Sequence, residues 1–246
     1  MKKIITLALL LASPALFAQS IEKNVEHFNK IIVSPKINLV LIEGNVESVK
    51  INYANVDPSK INVKVMHHKL RIYLEGSKFT EKQKRVQKDG WVDKESVYKH
   101  ANITAYVTYK KLDKLVVRGE QEVDLQGAIT NKKFKLSVYG ECEITFASLQ
   151  VDWFKAALYG QNSLKVKAGN VEAQKYKLFG ENKIDTQGIQ SEEISSTTYG
   201  ESILKLRVNE NLKLVTFGES NVIVKGSPEV DKFTFGDVSV KKSTSF

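Results

Sequence analysis

The residues able to do chemistry recur at a fixed interval. Gly followed by an acid or amide appears as Gly119-Glu120, Gly140-Glu141, Gly160-Gln161, Gly180-Glu181, Gly200-Glu201, Gly218-Glu219 and Gly236-Asp237, at steps of 21, 20, 20, 20, 18 and 18 residues. An aromatic residue precedes six of the seven glycines: Tyr139, Tyr159, Phe179, Tyr199, Phe217 and Phe235, with Arg118 in the first copy. Stacked carboxylates at such an interval would suit a hard cation such as calcium. No Asp-x-Asp loop accompanies them, so they read as solvated corner residues that splay apart, and no metal is assigned. A row of aromatics on an outer face would make a contact ribbon.

Catalysis finds less support. Polysaccharide cleavage needs paired carboxylates or an acidic cluster beside a base, and the repeat region has only Arg118 and Arg207 as arginines, neither in a tight acidic cluster. The histidines are His27, His67, His68 and His100, all outside the Gly repeats, which leaves a Ser-His-Asp arrangement unsupported. His67 and His68, adjacent in a strand, would point to opposite faces and could not grip one metal. Cys142 falls on the inward face with Asn162, Asn182, Ser202 and Ser220, where a small buried thiol is expected and the Asn and Ser would form hydrogen-bonded ladders. No catalytic residue and no cofactor is assigned.

The 246 residues are 42% hydrophobic and 26% charged, with one Cys, which excludes a disordered chain, a disulfide scaffold and a Cys-pair zinc site. Lys2 and Lys3, the apolar run Ile4 to Ala12, and Leu16-Phe17-Ala18 before Gln19 read as a secretory signal peptide over residues 1–18, cut near Ala18-Gln19. The run is too short to cross a bilayer, and no later apolar stretch is long enough. An exported protein, periplasmic, on the outer surface or secreted, is expected. Its formal charge of +9 falls to +7 without Lys2 and Lys3. Nucleic acid is then not the expected partner; acidic glycans or anionic surfaces are. The plainer reading is that the lysines are spread rather than clustered, and serve solubility and edge protection.

Around each Gly the chain alternates with period two. Phe134, Leu136 and Val138 precede Gly140, and Ile144 and Phe146 follow it; the apolar residue four after each Gly is Val123, Ile144, Leu164, Ile184, Leu204, Val222 or Val240. Two strands meeting at a Gly corner are indicated, with a third short apolar pair such as Leu149 and Val151 completing a rung. One copy cannot bury its own face, so copies must stack. The pattern predicts an all-β, right-handed single-stranded parallel β-helix with rungs of 18–21 residues; an antiparallel sandwich is the alternative. Regular rungs are expected from about 115 to 246, within one domain over 19–246. Looser strands of the same kind should precede them, interrupted at about 77–100 by a polar insertion containing Trp91, either a mobile loop or a short helix. Alternation puts the six aromatics on the same outer face as Lys135, Lys155, Lys175 and Lys213.

Two stretches carry a resemblance. Phe28–Gly44 (FNKIIVSPKINLVLIEG) with Val46–Ile51 (VESVKI), and Val215–Val240 (VTFGESNVIVKGSPEVDKFTFGDVSV), resemble the bacterial head GIN domain family of auto-transporter adhesins. Lys36-Ile37-Asn38 stands where a family-type Gly-Ile-Asn would fall, and Tyr-Gly or Phe-Gly stands where the family carries Ser-Gly. The resemblance implies a right-handed β-helix at the bacterial, Gram-negative cell envelope and supplies no catalytic motif. The expected function is a non-enzymatic, adhesin-like module that binds a glycan, polymer or protein through the aromatic ribbon and its flanking lysines. A glycan-cleaving β-helix enzyme and a homo-oligomer sealed through the ribbon are the alternatives.

Overall fold

The computed structural model describes residues 19–88 and 90–243; the expected signal peptide lies outside them. Fourteen strands are present among the described residues: β1 (Gln19–Asn24), β2 (Lys30–Val33), β3 (Asn38–Glu43), β4 (Ser48–Ala54), β5 (Ile61–Met66), β6 (Lys69–Leu74), β7 (Gln83–Lys88), β8 (Trp91–Ser96), β9 (Asn102–Tyr109), β10 (Lys114–Asp185), β11 (Ile189–Gln190), β12 (Glu193–Arg207), β13 (Asn211–Lys225) and β14 (Glu229–Lys242). Twelve belong to one sheet, which winds as a β-solenoid; β7 and β8 form a separate hairpin.

The solenoid is set by the repeated glycines. β10, β12, β13 and β14 pair in parallel with Gly180, Gly200, Gly218 and Gly236 in register. At each corner the glycine has positive φ, and a Cβ added to it would lie 2.1–2.6 Å from the carbonyl oxygen of the corner glycine one turn earlier, from Gly140 over Gly119 through Gly236 over Gly218. The first corner, Gly119, sits instead on Pro35, whose Cα and Cβ lie 2.7 Å from that imagined Cβ. Only a residue without a side chain allows both the backbone angle and the approach.

Alternation delivers the rest. Phe134, Leu136, Val138, Ile144 and Phe146 are buried, and one hydrophobic cluster runs from Phe28 to Val224. At its centre Phe154 lies 5.9 Å from Phe134 in a stacked pair and 6.1 Å from Tyr176 edge-on. The third strand of the rung is real: Leu149, Val151 and Val171 are buried, and Ala173 is 8% exposed.

The N-terminal part departs from expectation. β2 and β3 do form a turn of the solenoid, pairing in parallel with β10, and β6 and β9 extend it in parallel. Beyond them the pairing turns antiparallel: β4 lies between β9 and β1, and β5 folds back on β6. The N-terminal end of the solenoid thus closes with antiparallel strands, of which β5 and β6 make a hairpin. His67 and His68 are the turn between β5 and β6, both at positive φ (51° and 56°), and are not strand neighbours facing opposite ways. The polar insertion is neither a helix nor a loop throughout. It contains the β7–β8 hairpin, whose closing pair is Lys88 and Trp91 around Asp89-Gly90, a sequence suited to a two-residue turn.

The C-terminal end is guarded differently. Register places Lys232 and Lys242 of β14 on Leu214 and Val224, two core positions of β13. A lysine facing inward on the last turn discourages another strand from adding there.

The corner geometry makes a prediction. Gly160→Ala should lower stability by roughly 2–4 kcal/mol, combining left-handed strain with displacement of Gly140. Gly90→Ala, at positive φ but with nothing within 4 Å of its Cβ, should cost only about 1 kcal/mol. Urea unfolding of the two variants checks the difference.

Candidate functional site

The six aromatics preceding the corner glycines form one continuous stack. Successive ring centroids are 4.9, 4.7, 5.0, 4.9 and 5.7 Å apart, with planes within 9° of parallel. This spacing is that of neighbouring strands, so the sheet register alone makes the ladder. The rings lie on the outside of the corner: Tyr139 is 39% exposed, Tyr199 43% and Phe235 67%, with the others half-buried. Each interior ring has both faces against its neighbours, and no flat ligand fits between rings this close. Ring edges and the tyrosine hydroxyl ends reach solvent.

Arg118 continues the stack in the first copy, as its position in the repeat requires. Its guanidinium lies 5.1 Å from the Tyr139 ring and 5.2 Å from the ring of Phe79, which comes from the segment before β7. That segment is tied down: the Ser34 hydroxyl donates to the Lys78 carbonyl at 2.8 Å, and Lys36 Nζ pairs with Glu81 at 3.1 Å. The insertion therefore meets the ribbon's end through Phe79, while Trp91 stays 81% exposed on the hairpin.

An acidic column flanks the ladder, and a basic one runs parallel to it two columns away on its other side. On one side Glu141, Gln161, Glu181, Glu201 and Glu219 line a groove of about 470 Å³. On the other side the lysines, scattered in sequence, stand in line. Lys69 pairs with Lys30 and Lys30 with Lys114. The corner offsets carry the line on through Lys135, Lys155 and Lys175, and Lys135 N–H donates to Asp113 O at 3.0 Å, as that register demands. Ser195, Lys213 and Asp231 complete it. The reading of spread lysines is thus corrected: a 20-residue interval in sequence is one strand spacing in space. Among the described residues only Lys213 of these lysines pairs with a carboxylate, Asp231 at 3.6 Å. The structure puts all ten candidate residues on one outer face, in two columns four residues apart, with the column of Ser137, Ala157, Lys177, Thr197, Val215 and Phe233 between them.

Trp153, two residues before Lys155, also faces out and is 53% exposed. No motif marks it in the sequence; only its parity with Lys155 places it on this face.

Inside the corner the small polar residues do the structural work expected of them. Asn162 Oδ1 accepts from Cys142 N–H at 3.1 Å, and Asn162 Nδ2 donates to Asn182 Oδ1 at 3.2 Å. The Ser202 and Ser220 hydroxyls are 2.8 Å apart. Burial pushes the Cys142 thiol up to about 11, and its Sγ donates to the Gly119 carbonyl at 3.1 Å. His27 lies away from this face, with Nδ1 3.0 Å from Glu47 and its ring 5.4 Å from that of His68.

A family model described as "Putative auto-transporter adhesin, head GIN domain" matches residues 27–228. No curated protein matches the chain. A putative adhesin from Bacteroides fragilis superposes with a TM-score of 0.73 at 16% identity, covering 94% of this chain and 99% of the other. A putative adhesin from Parabacteroides merdae gives 0.68 at 15% identity, covering 92% and 96%. A putative lipid binding protein from Parabacteroides distasonis gives 0.63 at 14% identity, again covering 92% and 96%. At these identities the likeness shows a shared fold.

Cys142 should resist a thiol reagent at pH 7.5 in the folded protein, since almost none of it is thiolate there, and should react once urea unfolds the chain. Tyr159→Ser removes two ring contacts from the middle of the ladder and should lower stability by about 1–3 kcal/mol, whereas Tyr159→Phe should change it little; thermal or urea unfolding reads both.

Proposed function

The chain belongs to the head GIN domain family, and from that premise we propose that it is an exported, non-enzymatic, adhesin-like module that holds an extended envelope polymer along the outer corner of its solenoid. The observation that carries this is the aromatic ribbon. Tyr139, Tyr159, Phe179, Tyr199, Phe217 and Phe235 run unbroken for roughly 25 Å at the strand spacing, half-exposed, with the acidic column along one side and the lysine column farther out on the other. An apolar strip of that length on an outer surface marks contact with a partner. Its ring edges and phenol groups suit a side-on, repeating contact with a polymer laid parallel to the solenoid axis.

Support for a binding role over a catalytic one comes from chemistry. The carboxylates of the acidic groove form a column instead of an opposed pair around a scissile bond. The single thiol is buried and protonated. A homo-oligomer sealed through the ribbon is the rival use of the same surface, and Phe233 and Phe235, 56% and 67% exposed at its open end, favour testing it.

The mature chain from Gln19 should bind immobilised envelope polysaccharides saturably and release no product. Replacing Tyr139, Tyr159 and Tyr199 together by Ser should weaken binding about tenfold or more, with circular dichroism unchanged. Product release would identify an enzyme. Equal binding by the variant would remove the ribbon as the contact. A dimer on a sizing column that dissociates in the variant would assign the ribbon to self-association.

A further inference from the structure

The interior rings of the ladder cannot stack on a sugar, because both faces of each are occupied; Trp153 can. No aromatic ring or cation lies over the indole among the described residues, and the side chain is 53% exposed. Its position one turn on is Ala173, whose small side chain leaves a shallow groove of about 350 Å³ lined by Trp153, Ala173, Lys175, Glu193, Ser195 and Lys213. Lys155 stands two residues from Trp153 on the same face, in the lysine column.

That column is costly to the fold. Unit charges about 4 Å apart repel by about 1 kcal/mol in water, and like charges directly opposite on neighbouring strands destabilise a sheet. Lys69, Lys30, Lys114, Lys135, Lys155 and Lys175 follow one another on successive strands, none within 4.0 Å of a carboxylate among the described residues. At the far end of the column Lys30, Lys114 and Lys135 line a second groove together with Lys111, Lys132 and Lys133, with Asp113 the one acid in it. A line of uncompensated cations beside one free flat ring matches a ligand that is itself a line of anions built from sugar rings.

We propose that the groove over Ala173 takes an acidic sugar residue of a linear, carboxylate-bearing polysaccharide. The indole of Trp153 lies on the sugar ring, and Lys155, Lys175 and Lys213 face its carboxylates. Glu193 accepts from the sugar hydroxyls, and the polymer continues along the column toward Lys30 and Lys69. The inference rests on the reading of this chain as a polymer-binding module and names the ligand's chemistry.

The chain has two tryptophans, so Trp91→Phe leaves Trp153 as the only indole, and its emission reports the site. Titrating that protein with polygalacturonate should shift the emission saturably, and dextran should not. The affinity should fall about tenfold or more between 50 and 300 mM salt, as screening of several charge contacts requires. Replacing Lys155, Lys175 and Lys213 by Gln should weaken binding at least tenfold with the circular dichroism retained, while Lys165→Gln with Lys205→Gln, in the outer column beyond the corner, should not. Polygalacturonate bound with Trp153 emission unchanged, or bound equally by the triple variant, overturns the site. An equal Trp153 response to polyphosphate overturns the sugar assignment. Saturable binding of a neutral glycan alone, insensitive to salt, defeats this inference and leaves the binding-module reading standing; binding of no polymer at all defeats both.

Discussion

The fold depends on side chains that are missing. At each corner the carbonyl oxygen of one turn fills the space where the next turn's Cβ would be, so the backbone stack is closed only because Gly140, Gly160, Gly180, Gly200, Gly218 and Gly236 have none. This contact fixes the axial register. Every other column follows from it: the aromatic ladder outside the corner, the Asn and Ser ladders within, the lysines and the acids without. A register slip of one residue would turn Phe134, Leu136 and Val138 to solvent and bury their lysine and serine neighbours.

The same contact explains what could be read from sequence. Where Gly recurs and residues alternate, each position's place in the turn is fixed by counting, and Cys142, Asn162, Asn182, Ser202 and Ser220 stand where counting puts them. Arg118 joins the ladder because it occupies a ladder position, although it is not aromatic. The N-terminal strands were less legible because nothing in alternation distinguishes a parallel neighbour from an antiparallel one. The antiparallel return of β5 on β6 hinges on positive φ at His67 and His68, two residues that seldom mark such a turn. The hairpin at 83–96 was hidden by a polar composition that suits an exposed two-stranded ribbon as well as a loop.

The lysines show the limit of composition most plainly. Counted along the chain they are dispersed; folded, Lys135, Lys155 and Lys175 are neighbours. A solenoid turns a long sequence interval into one strand spacing, and so builds a linear array from residues that no local motif connects. Trp153 is hidden in the sequence for the opposite reason: it occurs once, outside the column that recurs.

The central claim is that register, set at the glycine corners, aligns these outer columns. Cysteine pairs test it directly in a Cys142→Ala background. Lys135→Cys with Lys155→Cys places the two thiols on neighbouring strands in register, within the Cα separation a disulfide accepts; Lys135→Cys with Ala157→Cys offsets them by two residues. Under mild oxidation the first pair should cross-link nearly completely without loss of stability, and the second should not. Efficient cross-linking of the offset pair, with the in-register pair left reduced, would contradict the aligned columns and the binding face built on them.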